Sequence, residues 1–300
     1  MLTSTICALC LSAAPLKESH IIPAFVFRWL RDTSATGHVR FAETPNKRVQ
    51  DGLKVPLLCG ECEQRLGVWE KLFSEQVFLP WYERSGQPIR YGDWLLKFCV
   101  SLSWRVLRHV KDQNGLVHFS DPQKVLSEAA LTRWASFILD KAPHPGPFEQ
   151  HLIPMDAIHS HTFEEVPQNI NRYMLRAVEL DLPHGSDAAF TYAKIGPFAL
   201  FGILQPTVMK WEGTKIHVRK GILGSRRYVL PAELFNYIKD RAQRYGSILM
   251  SERQLDKIDA DAMRNIERFR GSGTFAAMNH DVRLFGDTSV LRQSKPTRTN

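Results

Sequence analysis

Cys7-Ala-Leu-Cys10 and Cys59-Gly-Glu-Cys62 are the two stretches that decide the fold of the N-terminal part of this chain. A C-x-x-C turn directs two thiolates toward one metal ion, and two such turns complete the tetrahedron of ligands that Zn²⁺ prefers. We therefore predict one structural zinc ion, bound by Cys7, Cys10, Cys59 and Cys62. Disulfide bonds are the competing interpretation, but two C-x-x-C turns in a chain of 300 residues favour a metal.

Cysteine usage and hydropathy predict a cytoplasmic protein without a membrane partner. Thiolates stay free to bind metal in a reducing compartment, and the fifth cysteine, Cys99, lies in an apolar run where it is expected to fill a helix core. The best candidate for a membrane span, Ile195 to Leu204, is interrupted by glycine and proline. The apolar stretch from Ile6 to Pro15 lacks the basic region of a signal peptide.

The segment between the two cysteine pairs contains a histidine in a characteristic setting. Lys17-Glu-Ser-His-Ile-Ile-Pro23 places His20 at the edge of an apolar run that ends in proline. Apolar residues from Pro23 to Thr33 follow helical spacing, whereas Thr44 to Gly52 is polar and predicts a loop. After the second pair, Gly60 to Glu75 has the pattern of an amphipathic helix.

This arrangement, a C-x-x-C turn, a histidine before an apolar run, and a second C-x-x-C turn that leads into a helix, resembles the HNH (His-Me finger) endonucleases built on a four-cysteine treble clef. The resemblance covers about residues 5 to 80 and implies a β-hairpin that carries the catalytic histidine. It places His20 at the general base, Ser19 where the family usually has a metal-binding Asp, and Glu63 at the position that begins the helix after the second cysteine pair.

The resemblance also implies a catalytic Mg²⁺ or Mn²⁺ ion besides the zinc. Glu63 would bind that ion, aided by Glu18 or Gln50, while Asn46 and Gln50 are the candidates for the middle element of the motif. Because Ser19 removes a carboxylate, two functions stay open. One is an endonuclease that hydrolyses nucleic acid, with DNA as the first expectation and, by analogy, a role in phage defence or a mobile element. The other is a zinc-stabilised module that binds nucleic acid or protein without cleaving.

Beyond the zinc module, residues 1–80, the pattern predicts a second domain at residues 81–288 and a disordered basic tail at 289–300. Pro80 to Tyr91 is expected to be a linker, and two long amphipathic stretches, Asp93 to Lys111 and Asp121 to Lys141, predict a helical hairpin. Short β-prone stretches then predict an antiparallel sheet: His151 to Met155, Arg172 to Leu182, Phe190 to Ile195, Phe198 to Leu204 and Lys215 to Arg219. Helices are expected at Pro231 to Tyr245 and Gln254 to Phe269, so the fold class is α+β.

The charge of the chain favours a polyanionic partner. Its formal net charge is +8, and the densest basic stretch runs from Lys215 to Arg227. Arg226 and Arg227 are therefore candidate contacts to a phosphate backbone, with a solvated basic surface as the competing interpretation. The domain at residues 81–288 is also a candidate for binding a protein partner.

Overall fold

The computed structural model describes residues 5–83, 87–161, 165–205, 210–224 and 228–290. Two compact units share the chain, and each is discontinuous in sequence. The first comprises residues 1–28, 51–155 and 178–231, and the second comprises residues 29–50, 156–177 and 232–300. The boundary predicted at residue 80 lies inside the first unit.

The model has the mixed α+β composition that the sequence predicts. Its strands are β1 (Thr5–Ile6), β2 (Ala13–Ala14), β3 (Leu16–His20), β4 (Lys54–Cys59), β5 (Ile89–Tyr91), β6 (Gln150–Pro154), β7 (Val178–Asp181), β8 (Ala189–Ile195), β9 (Phe198–Gln205) and β10 (Gly221–Leu223). Its α-helices are α1 (Ala24–Asp32), α2 (Gly60–Phe73), α3 (Leu79–Glu83), α4 (Trp94–Asn114), α5 (Asp121–Ile138), α6 (Ile170–Arg176), α7 (Ala232–Gly246), α8 (Glu252–Arg264), α9 (Ile266–Arg270) and α10 (Gly273–Phe285). A π-helical turn at Ser74–Phe78 continues α2, and a 3₁₀ turn follows α10 at Asp287–Ser289.

The N-terminal part of the first unit is a two-stranded sheet followed by a helix. β3 and β4 are antiparallel, with Leu16 opposite Cys59 at one end, His20 opposite Lys54 at the other, and a register shift after Lys17. α2 begins directly after β4 and packs on α4, where the rings of Phe73 and Phe98 stack with centroids 4.0 Å apart. This stacking fixes α2 against the core of the unit.

The centre of the first unit is a four-stranded antiparallel sheet in the order β6-β9-β8-β7. β6 and β8 are buried along their whole length, and β9, whose sequence is apolar up to its last residue, is buried except at that residue. α4 and α5 pack on this sheet. Gly202 in β9 permits close approach of α4, because a Cβ there would lie 2.6 Å from the Ser103 hydroxyl.

In the second unit, the prediction of a strand from Arg172 to Leu182 is wrong for its first half. Residues 170–176 form α6, and only 178–181 form the strand β7 of the first unit. The carboxylate of Asp281, on α10, accepts hydrogen bonds from the backbone N–H groups of Asn171 at 2.8 Å and Arg172 at 3.3 Å. A carboxylate at a helix N-terminus satisfies orphan N–H groups and favours the helix over a strand.

The predicted linker from Pro80 to Tyr91 is also corrected. Its first residues belong to α3, and its last residues form β5, which pairs with β10. Trp81 is buried and its indole N–H donates to the carbonyl of Met155 at 3.1 Å. The described parts of this stretch, residues 80–83 and 87–91, therefore belong to the first unit. In the predicted tail, Ser289 is buried at the end of the 3₁₀ turn, and residues 291–300 lie outside the described ranges.

Across the described ranges, no helix has both the length and the hydropathy to span a bilayer.

Candidate metal centre and adjacent histidine site

The four cysteines of the two C-x-x-C turns form one cluster. The sulfurs of Cys7, Cys10, Cys59 and Cys62 all lie within 4.8 Å of one another. Four sulfurs at the usual Zn–S distance of about 2.3 Å in a tetrahedron are about 3.8 Å apart, and the sulfurs of Cys10 and Cys59 are separated by 3.8 Å. The donor set and its spacing fit a structural zinc ion, as the sequence predicts.

The backbone around the cluster explains why the sulfurs converge. The first turn closes through hydrogen bonds from Leu11 N–H to the Cys7 carbonyl and from Cys7 N–H to the Ser12 carbonyl, each 2.9 Å. Leu11 takes a left-handed conformation with φ of 64° to complete this turn. Ala8 N–H donates to the Leu57 carbonyl at 3.0 Å, which holds the first turn against β4.

The second pair lies where β4 passes into α2. Cys59 ends the strand, Cys62 lies in the first turn of the helix, and both are buried. Burial raises the pKa of the Cys62 thiol, and the neighbouring sulfurs of Cys59 and Cys7 raise it further. A divalent cation at the centre of the cluster would remove this cost, because it stabilises the thiolates.

His20 lies at the opposite end of the β3-β4 sheet from the cluster and is paired with a carboxylate. Its Nε2 lies 2.8 Å from Oδ1 of Asp51, and the two side chains are 19% and 40% exposed. The Asp51 carboxylate is held by the Gly52 N–H at 2.8 Å. Gly52 is required in this turn, because a Cβ there would lie 2.1 Å from the ring of Phe27.

The second oxygen of the Asp51 carboxylate contacts a lysine. Lys54 Nζ lies 2.5 Å from Asp51 Oδ2. Burial opposes ionisation of Asp51, but hydrogen bonds from Lys54 and His20 outweigh it and lower the pKa of Asp51 to about 2. At neutral pH the carboxylate is ionised, so it accepts a hydrogen from Nε2 of His20; in the neutral ring this tautomer leaves Nδ1 as an acceptor.

Ser19 points to the other face of β3 and has a structural partner. It is 1% exposed, and its hydroxyl oxygen accepts a hydrogen bond from Leu58 N–H at 3.2 Å. The hydroxyl donates to the Lys17 carbonyl at 3.3 Å. Both of these hydrogen bonds lie within the β3-β4 sheet, and the alternation of a strand explains why Ser19 and His20 face opposite ways.

The two carboxylates predicted to bind the catalytic ion lie on two elements of the first unit. Glu63 is half-buried in the first turn of α2, and Glu18 is exposed on β3. Within the described ranges, the four cysteines form the one group of three or more Cys, His, Asp or Glu side chains close enough to hold a metal by themselves. The roles of Glu63 and Glu18 stay predictions.

An arginine from outside the predicted zinc module also reaches this site. Arg105, on α4, is 3% exposed and donates from Nη1 to the main-chain carbonyl of His20 at 2.9 Å. The same Nη1 lies 2.7 Å from Oε1 of Glu70 on α2. The site therefore combines residues from β3, the turn before β4, α2 and α4.

The remaining candidates lie in the second unit or outside the described ranges. Asn46 accepts a hydrogen bond from Ser251 N–H at 2.8 Å. The side-chain nitrogen of Gln50 lies 3.2 Å from Nδ1 of His38. Arg226 and Arg227 lie outside the described residues. Their predicted nucleic-acid contacts stay predictions.

Sequence reasoning missed Asp51, Lys54, Glu70 and Arg105. A signal for the first two was available, because antiparallel pairing that sets Leu16 opposite Cys59 brings the end of β3 to the residues just before β4. Asp51 and Lys54 flank that strand start. Arg105 and Glu70 carried no such signal, since 85 residues separate Arg105 from His20.

No protein-family model, curated protein or solved structure gives a significant match to the chain. The function is therefore inferred from the residues of the site and their geometry.

Proposed function

We propose that this protein is a metal-dependent endonuclease of the HNH-like type that hydrolyses phosphodiester bonds of nucleic acid, with DNA as the first expected substrate. One observation carries the proposal: the hydrogen-bonded pair of His20 and Asp51 at the end of a two-stranded sheet whose other end holds the cysteine cluster. α2 follows that sheet directly, which is the strand-strand-helix order that the resemblance implies.

The geometry suits His20 to act as a general base. Asp51 accepts the Nε2 hydrogen and leaves Nδ1 with a lone pair, so Nδ1 can take a proton from water. The resulting hydroxide attacks phosphorus, the bond from phosphorus to the leaving oxygen breaks, and that oxygen takes a proton from solvent water, while the imidazolium of His20 returns its proton to solvent. Asp51 stabilises the imidazolium that forms on His20, as the carboxylate partner of other catalytic histidines does.

The charges at the edge of the site are balanced. Lys54 is partly exposed and paired with Asp51, so its ammonium offsets the charge of a carboxylate that would otherwise repel a phosphate. Bound Mg²⁺ or Mn²⁺ would neutralise charge on the phosphate oxygens, and Glu63 with Glu18 are the carboxylates that would hold it. One or two carboxylates suffice for Mg²⁺ when water and substrate phosphate complete its shell.

The cysteine cluster has a separate role in this proposal. Four thiolates occupy all positions of a tetrahedral zinc ion, so no position stays open for substrate. The zinc would therefore stabilise the fold of β3, β4 and α2 and take no part in the hydrolysis.

Cleavage of supercoiled plasmid tests the proposal. We expect the purified protein to nick the plasmid with Mg²⁺ or Mn²⁺, and to stop when the ion is chelated. His20→Ala should lower the rate about 100-fold or more, with zinc content and thermal stability close to wild type. His118→Ala, at an exposed histidine that follows α4, is the matched control and should cleave normally.

The proposal is contradicted if the wild-type protein fails to cleave single-stranded DNA, duplex DNA, branched DNA and RNA with either ion. Binding of one of these nucleic acids without cleavage would assign the zinc-stabilised fold to recognition alone.

A further inference from the structure

The starting observation is a buried charge in the middle of α4. Arg105 is 3% exposed, and burying an unpaired guanidinium is costly. Glu70 on α2 supplies the opposite charge at 2.7 Å, and its side chain is 21% exposed. The pair therefore connects α4 with the helix that begins at the cysteine cluster.

The second observation is the other partner of the Arg105 guanidinium. β3 ends at His20, and the carbonyl of His20 accepts a hydrogen bond from Arg105 Nη1 at 2.9 Å. Directly after His20, the main chain is also bonded to the segment before β4, because Ile21 N–H donates to the Leu53 carbonyl at 3.2 Å. The strand end that carries His20 is thus held from outside the sheet by a helix 85 residues further along the chain.

We infer that Arg105 and Glu70 are positioning residues for His20, an inference that rests on the proposed endonuclease function. Asp51 holds the imidazole through Nε2, and Arg105 holds the main chain of the same residue, so both the ring and its backbone are held. Glu70 neutralises the guanidinium and orients it. Such two-point holding maintains a reacting group within the narrow range of positions that catalysis needs.

The chemistry of arginine matters for this role. Nη1 of Arg105 carries two N–H groups and contacts both the Glu70 carboxylate and the His20 carbonyl. Nε in the same rigid plane donates to the Ser101 carbonyl at 3.4 Å, which fixes the plane at a second point. A lysine ammonium is a compact charge on a flexible stem and holds two partners less rigidly. Arg105→Lys should therefore keep the ion pair with Glu70 and loosen the hold on His20.

The main test is the double variant Arg105→Met/Glu70→Leu, which replaces the buried pair by apolar side chains and leaves no unpaired charge. Buried ion pairs replaced in this way often retain the fold. We expect unchanged zinc content, a fall in kcat of about 10- to 100-fold, and a KM within about twofold of wild type. Arg108→Met/Asp112→Leu removes a partly exposed ion pair of the same helix and is the matched control, with cleavage unchanged.

A second measurement does not depend on cleavage. The ring N–H signal of His20 in nitrogen-edited NMR spectra, assigned by its loss in His20→Ala, reports the hydrogen bond to Asp51. It should shift or broaden in the double variant and in Arg105→Lys, and stay in place in the control. Should the double variant fail to fold, Arg105→Lys supplies both measurements.

The results of these measurements distinguish the positioning role of Arg105 and Glu70 from the proposed endonuclease function. Cleavage at the wild-type rate together with an unmoved ring signal overturns the positioning role and leaves the endonuclease standing. No cleavage by wild type, with a ring signal that moves only when Arg105 or Glu70 is changed, overturns the endonuclease and supports the positioning role.

Discussion

Two of the antiparallel sheets of the first unit, the four-stranded sheet and the β3-β4 sheet, are stabilised in different ways. The four-stranded sheet of β6 to β9 has three almost wholly buried strands and packs on α4 and α5. The two-stranded sheet of β3 and β4 is largely exposed along β3, and two strands alone are marginally stable in water. The cysteine cluster at one end and the ion pairs at the other compensate for the small apolar area that this sheet buries.

This difference in burial explains why the candidate site lies at the β3-β4 sheet. Apolar burial leaves few polar groups free to act, whereas the end of the β3-β4 sheet presents an imidazole and a carboxylate to solvent. A sheet held by a metal and by ion pairs can keep such groups at its edge without a large core beneath it. The predictions that follow test this contrast.

The largest effect is expected from loss of the cluster. Cys59→Ser should remove most of the zinc and cost roughly 4 kcal/mol or more, because the free energy of metal binding is also folding free energy. Amides of β3, β4 and α2 should lose protection from hydrogen exchange while those of β8 and β9 keep it. Elemental analysis and exchange mass spectrometry measure both effects.

The control for Cys59→Ser is a substitution at a cysteine outside the cluster. Cys99→Ala changes a buried cysteine of α4 outside the cluster and should keep one zinc per chain. Freshly purified wild type without zinc, or with a disulfide between the pairs, would refute the metal. Equal loss of protection in both sheets would show that they do not differ in the way proposed.

The next effect concerns the histidine end of the β3-β4 sheet. In Asp51→Asn, the side-chain amide can donate to Nε2 and shift the ring hydrogen to Nδ1, which removes the base. We expect cleavage to fall about 100-fold, or about 2.7 kcal/mol of transition-state stabilisation, with zinc content unchanged. Single-turnover rates measure it, and Asp112→Asn on α4 is the control. A rate equal to wild type would remove Asp51 from the mechanism.

A smaller effect is expected in the four-stranded sheet. Lys194 is fully buried in β8, its ammonium donates to the Gly196 carbonyl, and Glu179 lies opposite it on β7. Burial lowers the pKa of Lys194 to about 7 from 10.5, and Glu179 opposes this only in part. Between these values the unfolded chain binds more protons than the folded chain, so stability rises with pH across that window.

Lys194→Met should abolish that rise. Urea unfolding at pH 7, 8 and 9 should show a wild-type slope approaching about 1.4 kcal/mol per pH unit and a flatter slope for the variant. The variant should also be more stable than wild type at pH 7, because it no longer buries a group that prefers to be charged in water. Parallel slopes would mean that Lys194 keeps its proton in the fold.

The smallest effect is the loss, in acid, of the stability that the ionised Asp51 contributes. Its pKa is lowered to about 2 from 3.8, so its stabilising contribution is present above pH 3.8 and is lost as the pH falls through about 2. The difference in unfolding midpoint between wild type and Asp51→Asn should therefore be constant at mildly acidic pH and shrink below pH 3.8. Zinc release in acid affects both proteins, so the difference isolates the carboxylate. A difference that does not change with pH would contradict the ion pair.

Local patterns in the sequence predicted part of this molecule well. The spacing of the four cysteines predicted their cluster, and apolar periodicity predicted α2, α4 and α5 close to their observed bounds. The helices depend on residues within a few positions of one another, and each C-x-x-C pair is itself a local pattern that marks half of a metal site, so these features can be read along the chain. The prediction of a strand at residues 172–176 failed because a carboxylate 110 residues away, Asp281, binds the N–H of Asn171 at the start of α6.

The chain by itself determined the ligands of the proposed zinc ion, because two C-x-x-C pairs are a specific metal-binding pattern. His20 was singled out by the resemblance to the HNH endonucleases. Only the tertiary structure decided what surrounds His20. Asp51 approaches it across the β3-β4 sheet, and Arg105 approaches it from α4 with Glu70 beside it. Hydrogen bonds between residues 31 and 85 positions apart depend on how elements pack, and packing is a property of the whole unit that no local pattern contains.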